Sequence, residues 1–240
     1  MIKTNIMDLD WNILIILDSC RFDTFKKVND IKGELSSLYS LGSTSGEWIE
    51  KTLTKKYGDL IYVSACPIAV TYIRKNGICE LIDVLNDGFD EKLQTVLPEK
   101  VNEGFLKLEY NPKKRYILHY MQPHHPFLGK NGIKATGFTQ WKYGRVLGEA
   151  VWDLIRNKKI SLERAKQGYE SCLEFVLESI KKLLSSVNIE GKIIITADHG
   201  QLFGEHGMIG HPQGSPAFEE LRKVPYLEVN KKYYEKGDAK

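Results

Sequence analysis

The run Ile193-Ile-Ile-Thr-Ala197 is apolar and β-branched, as a strand buried on both faces must be, and it breaks directly into Asp198-His199-Gly200. A core strand has no use for a carboxylate at its end, because a buried charge costs free energy unless it is paired or holds a cation. His206 and His211 follow in the same stretch, and glycines at 200, 204, 207 and 210 let the backbone turn tightly and approach a ligand. The pattern recurs twice. Trp11-Asn-Ile-Leu-Ile-Ile-Leu17 runs into Asp18-Ser-Cys-Arg-Phe-Asp23, and Arg115-Tyr-Ile-Leu-His-Tyr-Met121 runs into Gln122-Pro-His-His-Pro-Phe127.

Between these runs the periodicity is helical. Strands are expected near 35–41, 60–64 and, weakly, 78–84, with a last one at Val224–Val229 whose Pro225 suggests a sheet edge or a strand start. Helices are expected from 42 to about 56, over 67–74, 98–108 and 143–157, and over 161–187, where Tyr169, Leu173, Val176, Leu177, Ile180 and Leu184 share one face. Residues 129–137 read as loop. The alternation predicts an α/β three-layer sandwich: a mostly parallel central sheet with helices on both faces, spanning 1–240 as a single domain. In such sheets ligands gather outside the carboxyl ends of the strands, so the three motifs should converge. All six histidines, at 119, 124, 125, 199, 206 and 211, fall in two of them.

Composition narrows the function classes. Hydrophobic content of 42% and charged content of 27% belong to an ordinary globular chain, and the net charge of +3 is spread over scattered lysine pairs. That points to small anionic ligands rather than nucleic acid. The cysteines at 20, 66, 79 and 172 form no C-x-x-C motif, and no apolar run approaches the roughly 18 residues of a membrane span. Together with an N-terminus that lacks a secretory apolar region, this leads to the expectation of a cytoplasmic protein. Oligomeric state is left open.

Asp18, Asp198 and His199 offer two hard oxygens and an imidazole, a set suited to one divalent cation: zinc, manganese or magnesium, with calcium a further candidate. A second cation near His124 and His211 is left open. Such a centre activates a hydroxyl and neutralises ester oxygens. Thr44 and Ser45, at a predicted helix start, are the nucleophile candidates; the Thr44-x-x-Glu47 spacing gives Thr44 a capping role, so Ser45 is preferred. His124 and His211 are candidates for charge on the ester or proton donation to the leaving group, which requires imidazoles titrating near neutrality. His119 and Arg21 are candidates for substrate contact, His119 equally for a supporting or packed role and Arg21 equally for an ion pair with Asp23. His125 and His206 are the weakest candidates.

At these residues the sequence resembles the sulfatase-like branch of the alkaline phosphatase superfamily: Ile-Ile-Leu-Asp18-Ser-Cys-Arg-Phe-Asp looks like its first metal motif, His119-Tyr-Met-Gln-Pro-His124 like its central motif, and Thr-Ala-Asp198-His199-Gly-Gln-Leu-Phe-Gly-Glu-His-Gly like its late metal motif. The resemblance implies an alkaline-phosphatase-like fold, metal ligation by Asp18, Asp198 and His199, and substrate contact by His124 and His211. The formylglycine motif of sulfatases is missing, and Ser19 stands where they tend to carry a second acidic residue. The expectation is therefore a metal-dependent hydrolase or transferase using a Ser or Thr nucleophile on an anionic phosphate ester, free or linked to a glycan or lipid. Sulfate ester hydrolysis and a catalytically silent binder of phosphorylated partners are the alternatives.

Overall fold

The structure is a computed structural model and describes residues 1–136, 148–187 and 189–234. Its main sheet is built from β1 (Ile13–Leu17), β2 (Gly33–Tyr39), β3 (Leu60–Ser64), β4 (Glu80–Asp83), β7 (Arg115–Tyr120), β8 (Ile193–Ala197) and β11 (Lys223–Val229). Two small antiparallel pairs, β5 (Phe89–Asp90) with β6 (Thr95–Val96) and β9 (Leu202–Phe203) with β10 (Ile209–Gly210), lie outside it. The strand order is β2-β11-β8-β1-β7-β3-β4. Pairing is parallel throughout β8, β1, β7, β3 and β4, and β11 runs antiparallel to both of its neighbours. The sheet is thus mostly parallel, as expected.

Every residue of β1, β3 and β8 is buried, which is why these segments read as unbroken apolar runs rather than as alternating patterns. The helix Leu162–Ser186 packs on helices Phe22–Val28 and Pro98–Leu106, while Ser45–Thr52 packs on Pro67–Asn76, so helices flank the sheet in two groups. On the long helix the predicted face from Tyr169 to Leu184 is buried, and the Ser161 hydroxyl caps its start by accepting the Arg164 amide at 3.0 Å. Among the described residues no helix is long and apolar enough to cross a membrane.

Two expectations change. Pro225 does not mark an edge: β11 is the second strand in, between β2 and β8. Its ladder with β8 begins only at Tyr226, and the Pro225 carbonyl is met instead by the Thr196 hydroxyl at 2.6 Å, so the missing amide falls at the ladder's end. The helix expected over 143–157 is described only as Val151–Arg156; residues 143–147, like Gly137 of the expected loop, lie outside the described residues.

Register sets the functional edge. Leu17 is level with Tyr120 on one side and Ala197 on the other, so Asp18 and Asp198 each stand one residue beyond paired positions. His119 is level with Ile16 and Ser64, which places it within reach of the same edge.

Candidate metal centre

The centre forms where β1 and β8 end together. Ser19 adopts φ 63°, uncommon for a residue with a side chain, and its amide then donates to Asp198 Oδ1 at 3.0 Å while its hydroxyl donates to Asp18 Oδ1 at 2.9 Å. The His199 amide donates to the same Asp198 oxygen at 2.8 Å. His199 Nδ1 donates to the Gly200 carbonyl at 2.8 Å, which turns Nε2 toward the carboxylates, 3.5 Å from Asp198 Oδ2 and 3.8 Å from Asp18 Oδ1. Gly200 accepts no side chain here, since a Cβ would lie 2.0 Å from the Glu220 carbonyl oxygen.

Ser45 reaches this group from the first turn of the helix Ser45–Thr52, which follows β2. Its hydroxyl lies 3.3 Å from His199 Nε2. Thr44 faces elsewhere: it is the N-cap of Ser45–Thr52, with its hydroxyl accepting the Glu47 amide at 3.2 Å. Arg222 ties the loop down, donating to the Ser43 hydroxyl at 2.8 Å and the Ser40 carbonyl at 3.0 Å and pairing with Glu47 at 3.0 Å. Ser40 also donates to the Asp198 carbonyl.

His119 completes the cluster. Its Nδ1 is hydrogen-bonded to the Tyr62 hydroxyl at 2.9 Å, and its Nε2 lies 3.9 Å from Asp198 Oδ2. Both of those facing atoms are buried without a hydrogen-bond partner. Burial raises the Asp18 carboxyl well above the usual range, and the Asp198 charge raises it further; burial also pushes Asp198 upward, but His199 and His119 outweigh it and hold Asp198 low. Two buried carboxylates that cannot both stay ionised, facing an imidazole nitrogen with no hydrogen-bond partner, are what a cation site looks like to its ligands. Asp18, Asp198 and His199 bring donor atoms within 4.8 Å of one another, and this set fits a divalent metal.

His124 and His211 stand beside His199, the His211 ring 4.5 Å from that of His199 and 5.1 Å from that of His124. The expectation that they titrate near neutrality is corrected. Burial lowers His124 to about 4 and His211 well below its ordinary value, with His199 pushing both further down. His124 Nδ1 donates to the His125 carbonyl at 2.8 Å and His211 Nδ1 to Gln201 Oε1 at 2.9 Å, so each ring is neutral with Nε2 as its acceptor. His125 packs edge-on to Trp152, and His206 is exposed, stacked on Phe218 and paired with Glu220 at 3.2 Å.

Arg21 does not point its charge at the centre. It binds Asp23 at 2.6 Å, Glu205 at 2.7 Å and the Gln201 carbonyl at 3.0 Å, fastening the β1 loop to the β8 loop. Burial alone would raise the Glu205 carboxyl, but Arg21 and the Phe203 amide outweigh it and hold it below the usual range. A folded-state value below the unfolded one stabilises above the unfolded pKa of about 4.3 and fades as pH falls through the acid range. Glu205→Gln should therefore cost about 1–2 kcal/mol at pH 7 in urea unfolding, and distinctly less at about pH 3. A gap that is unchanged at both pH values would remove the charge from the account.

Several contributors carry no chemical motif. Arg222, Tyr62 and Gln201 act through contacts between segments distant in sequence, and the Ser19 turn is a backbone property. Cys66 was legible: it stands two residues beyond β3, just before Pro67, near the strand-end positions that mark Asp18 and Asp198, but a lone thiol draws less notice than a carboxylate beside a histidine.

No protein-family model matches the sequence, and no curated protein sequence matches it. Solved structures do match in three dimensions. The soluble domain of lipooligosaccharide phosphoethanolamine transferase A from Neisseria meningitidis superposes with a TM-score of 0.62 over 92% of this chain and 77% of its own, at 13% identity. The C-terminal periplasmic domain of EptC from Escherichia coli, in complex with zinc, gives 0.53 over 95% and 75%, at 11% identity. A 2-O GAG sulfatase gives 0.51 over 92% and 64%, at 12% identity. These neighbours overturn the cytoplasmic expectation, because the transferase domains among them are soluble or periplasmic parts of membrane enzymes. The physical reason is that unpaired cysteines, all four free here and three of them buried, report no compartment. The mostly parallel sheet, its one antiparallel strand and the buried Asp-His cluster at its carboxyl edge give this chain the fold that these transferase and sulfatase domains share.

Proposed function

We propose that the protein is a metal-dependent transferase or hydrolase of phosphate esters, with Ser45 as nucleophile and Asp18, Asp198 and His199 as cation ligands. The observation that carries this reading is the Ser45 hydroxyl, 3.3 Å from the Nε2 of His199, which itself lies 3.5 Å from Asp198 Oδ2 and 3.8 Å from Asp18 Oδ1. A serine at a helix start needs no such company for structural reasons, since the cap is already Thr44. A zinc-class cation bound there supplies the charge that ionises the hydroxyl and offsets the phosphoryl oxygens.

The chain's own groups divide the remaining work. Ser45 Oγ attacks phosphorus and the alcohol of the ester departs, leaving the phosphoryl group on the serine. The backbone at the start of Ser45–Thr52 offers unpaired amides to its oxygens. His124 and His211, neutral with Nε2 as acceptor, suit removal of a proton from the incoming alcohol or water that releases the serine, rather than protonation of the departing group. The substrate class is an anionic phosphate ester, including those carried on lipids or glycans, as the phosphoethanolamine transferase neighbour suggests.

The test is turnover of nitrophenyl phosphate, of its diester with a second alcohol, and of nitrophenyl sulfate, by metal-stripped protein before and after zinc or manganese is restored. Zinc- or manganese-dependent release from a phosphate ester is expected, with sulfate slower by at least about 100-fold. Preference for sulfate would turn the assignment to the sulfatases. Full activity in the stripped protein would end the metal-dependent reading.

A further inference from the structure

Cys66 lies on the far side of Asp18 from the roles assigned so far. It is buried and stands at the N-cap position of the helix Pro67–Asn76, with no hydrogen bond from its side chain to the helix start. Its sulfur, an Asp18 oxygen and a ring nitrogen of His119 all lie within 4.8 Å of one another. His119 is fully buried and anchored through Nδ1 by Tyr62, yet its Nε2 has no hydrogen-bond partner. Among the described residues, neither Asp18 nor Asp198 has a lysine or arginine within ion-pair distance. Cys20, Cys79 and Cys172 join no such group among those residues.

We propose that Asp18, Cys66 and His119 hold a second cation, sharing Asp18 as a bridge with the cation of the Asp18, Asp198 and His199 set. The inference rests on the metal-dependent reading above and extends it to a ligand set which that reading does not use. The chemistry differs between the two sets. Two carboxylates, an imidazole and a serine hydroxyl are hard donors that accept several divalent ions, whereas a thiolate with an imidazole and one carboxylate selects a borderline-soft ion such as zinc. A carboxylate bridge holds two cations about 3.5–4 Å apart, a spacing at which the inner ion adjusts the charge felt by the outer one. The thiol proton leaves to solvent as the sulfur binds. On this account Tyr62 is a positioning residue, orienting His119 toward the inner ion.

The experiment is a cobalt(II) titration of the metal-stripped full chain, followed by near-ultraviolet absorption and by metal analysis after gel filtration. The expected result is uptake of about two cations per chain, with a thiolate-to-cobalt charge-transfer band. Cys66→Ser should hold about half as much cobalt and lack the band, with its circular dichroism unchanged. Should that variant not fold, X-ray absorption of the zinc-loaded parent protein answers the same question, through a sulfur neighbour at about 2.3 Å. Uptake of a single cation, or of two with no sulfur ligand, overturns the second site and leaves the metal-dependent reading standing. No uptake at all overturns both.

Discussion

Asp198→Asn is expected to lose at least about 100-fold in affinity for zinc or manganese and at least about 10^3-fold in phosphate ester turnover, without loss of the fold. The amide is the informative replacement. Asp198 Oδ1 accepts the amides of Ser19 and His199, and asparagine retains an oxygen for both. What it removes is the charge on the oxygen that faces His119 and His199 without a partner. In the metal-free state that charge works both ways, favoured by His199 and His119 while it is part of what pushes the neighbouring Asp18 carboxyl up. Without metal the variant should therefore melt close to the parent protein. Added zinc should raise the melting temperature of the parent protein by more than that of the variant, since a ligand stabilises only a state that binds it. A variant with parental cation content and parental turnover would remove Asp198 from the ligand set.

The second large effect separates two adjacent hydroxyls. Ser45→Ala should lower turnover by about 10^4- to 10^6-fold, the scale seen when a nucleophile is removed while binding groups remain, and it should scarcely change stability. Thr44→Ala should do the reverse, costing about 1 kcal/mol of unfolding free energy with turnover held within about tenfold. The asymmetry follows from where each hydroxyl points: Thr44 to the Glu47 amide, Ser45 to His199 Nε2. Chemical unfolding and steady-state kinetics on both variants read the two effects separately. Equal losses of turnover in the two would mean that the helix start as a whole, and not the Ser45 oxygen, carries the effect.

The ligand cluster was legible because two strong signals coincide at each strand end. An apolar run long enough to be a buried strand fixes a direction, and in a parallel sheet that direction brings Asp18, His119 and Asp198 to one edge whatever the intervening chain does. The capping spacing likewise separated Thr44 from Ser45. What depends on neighbours distant in sequence was not legible. Pro225 is rare inside a sheet and so reads as an edge, yet the Thr196 hydroxyl takes up its carbonyl within the sheet. The charge state of His124 and His211 was misjudged because a histidine near an anionic substrate suggests a cation. In the folded chain their mutual packing with His199 and their burial make neutrality the cheaper state. Of the two roles open to Arg21 the ion pair with Asp23 is the one found, and what the sequence did not show is the Glu205 carboxylate that folding adds to it.

The position of β11 bears on the order in which the molecule is built. The block β8-β1-β7-β3-β4 contains Asp18, His119, Asp198 and His199, and its parallel pairings do not involve β11. The strand that leads to Ser45 is different: β2 joins the sheet only through β11, pairing from Gly33 with Val229 to Tyr39 with Lys223, and Arg222 at the start of β11 fastens the loop that follows. Contacts between such distant parts of a chain form late, because the long loop must close before they repay it. Because β11 follows β8 along the chain, Asp18, His119, Asp198 and His199 can gather while Ser45 is still unplaced, and β11 is the strand that then brings Ser45 to them.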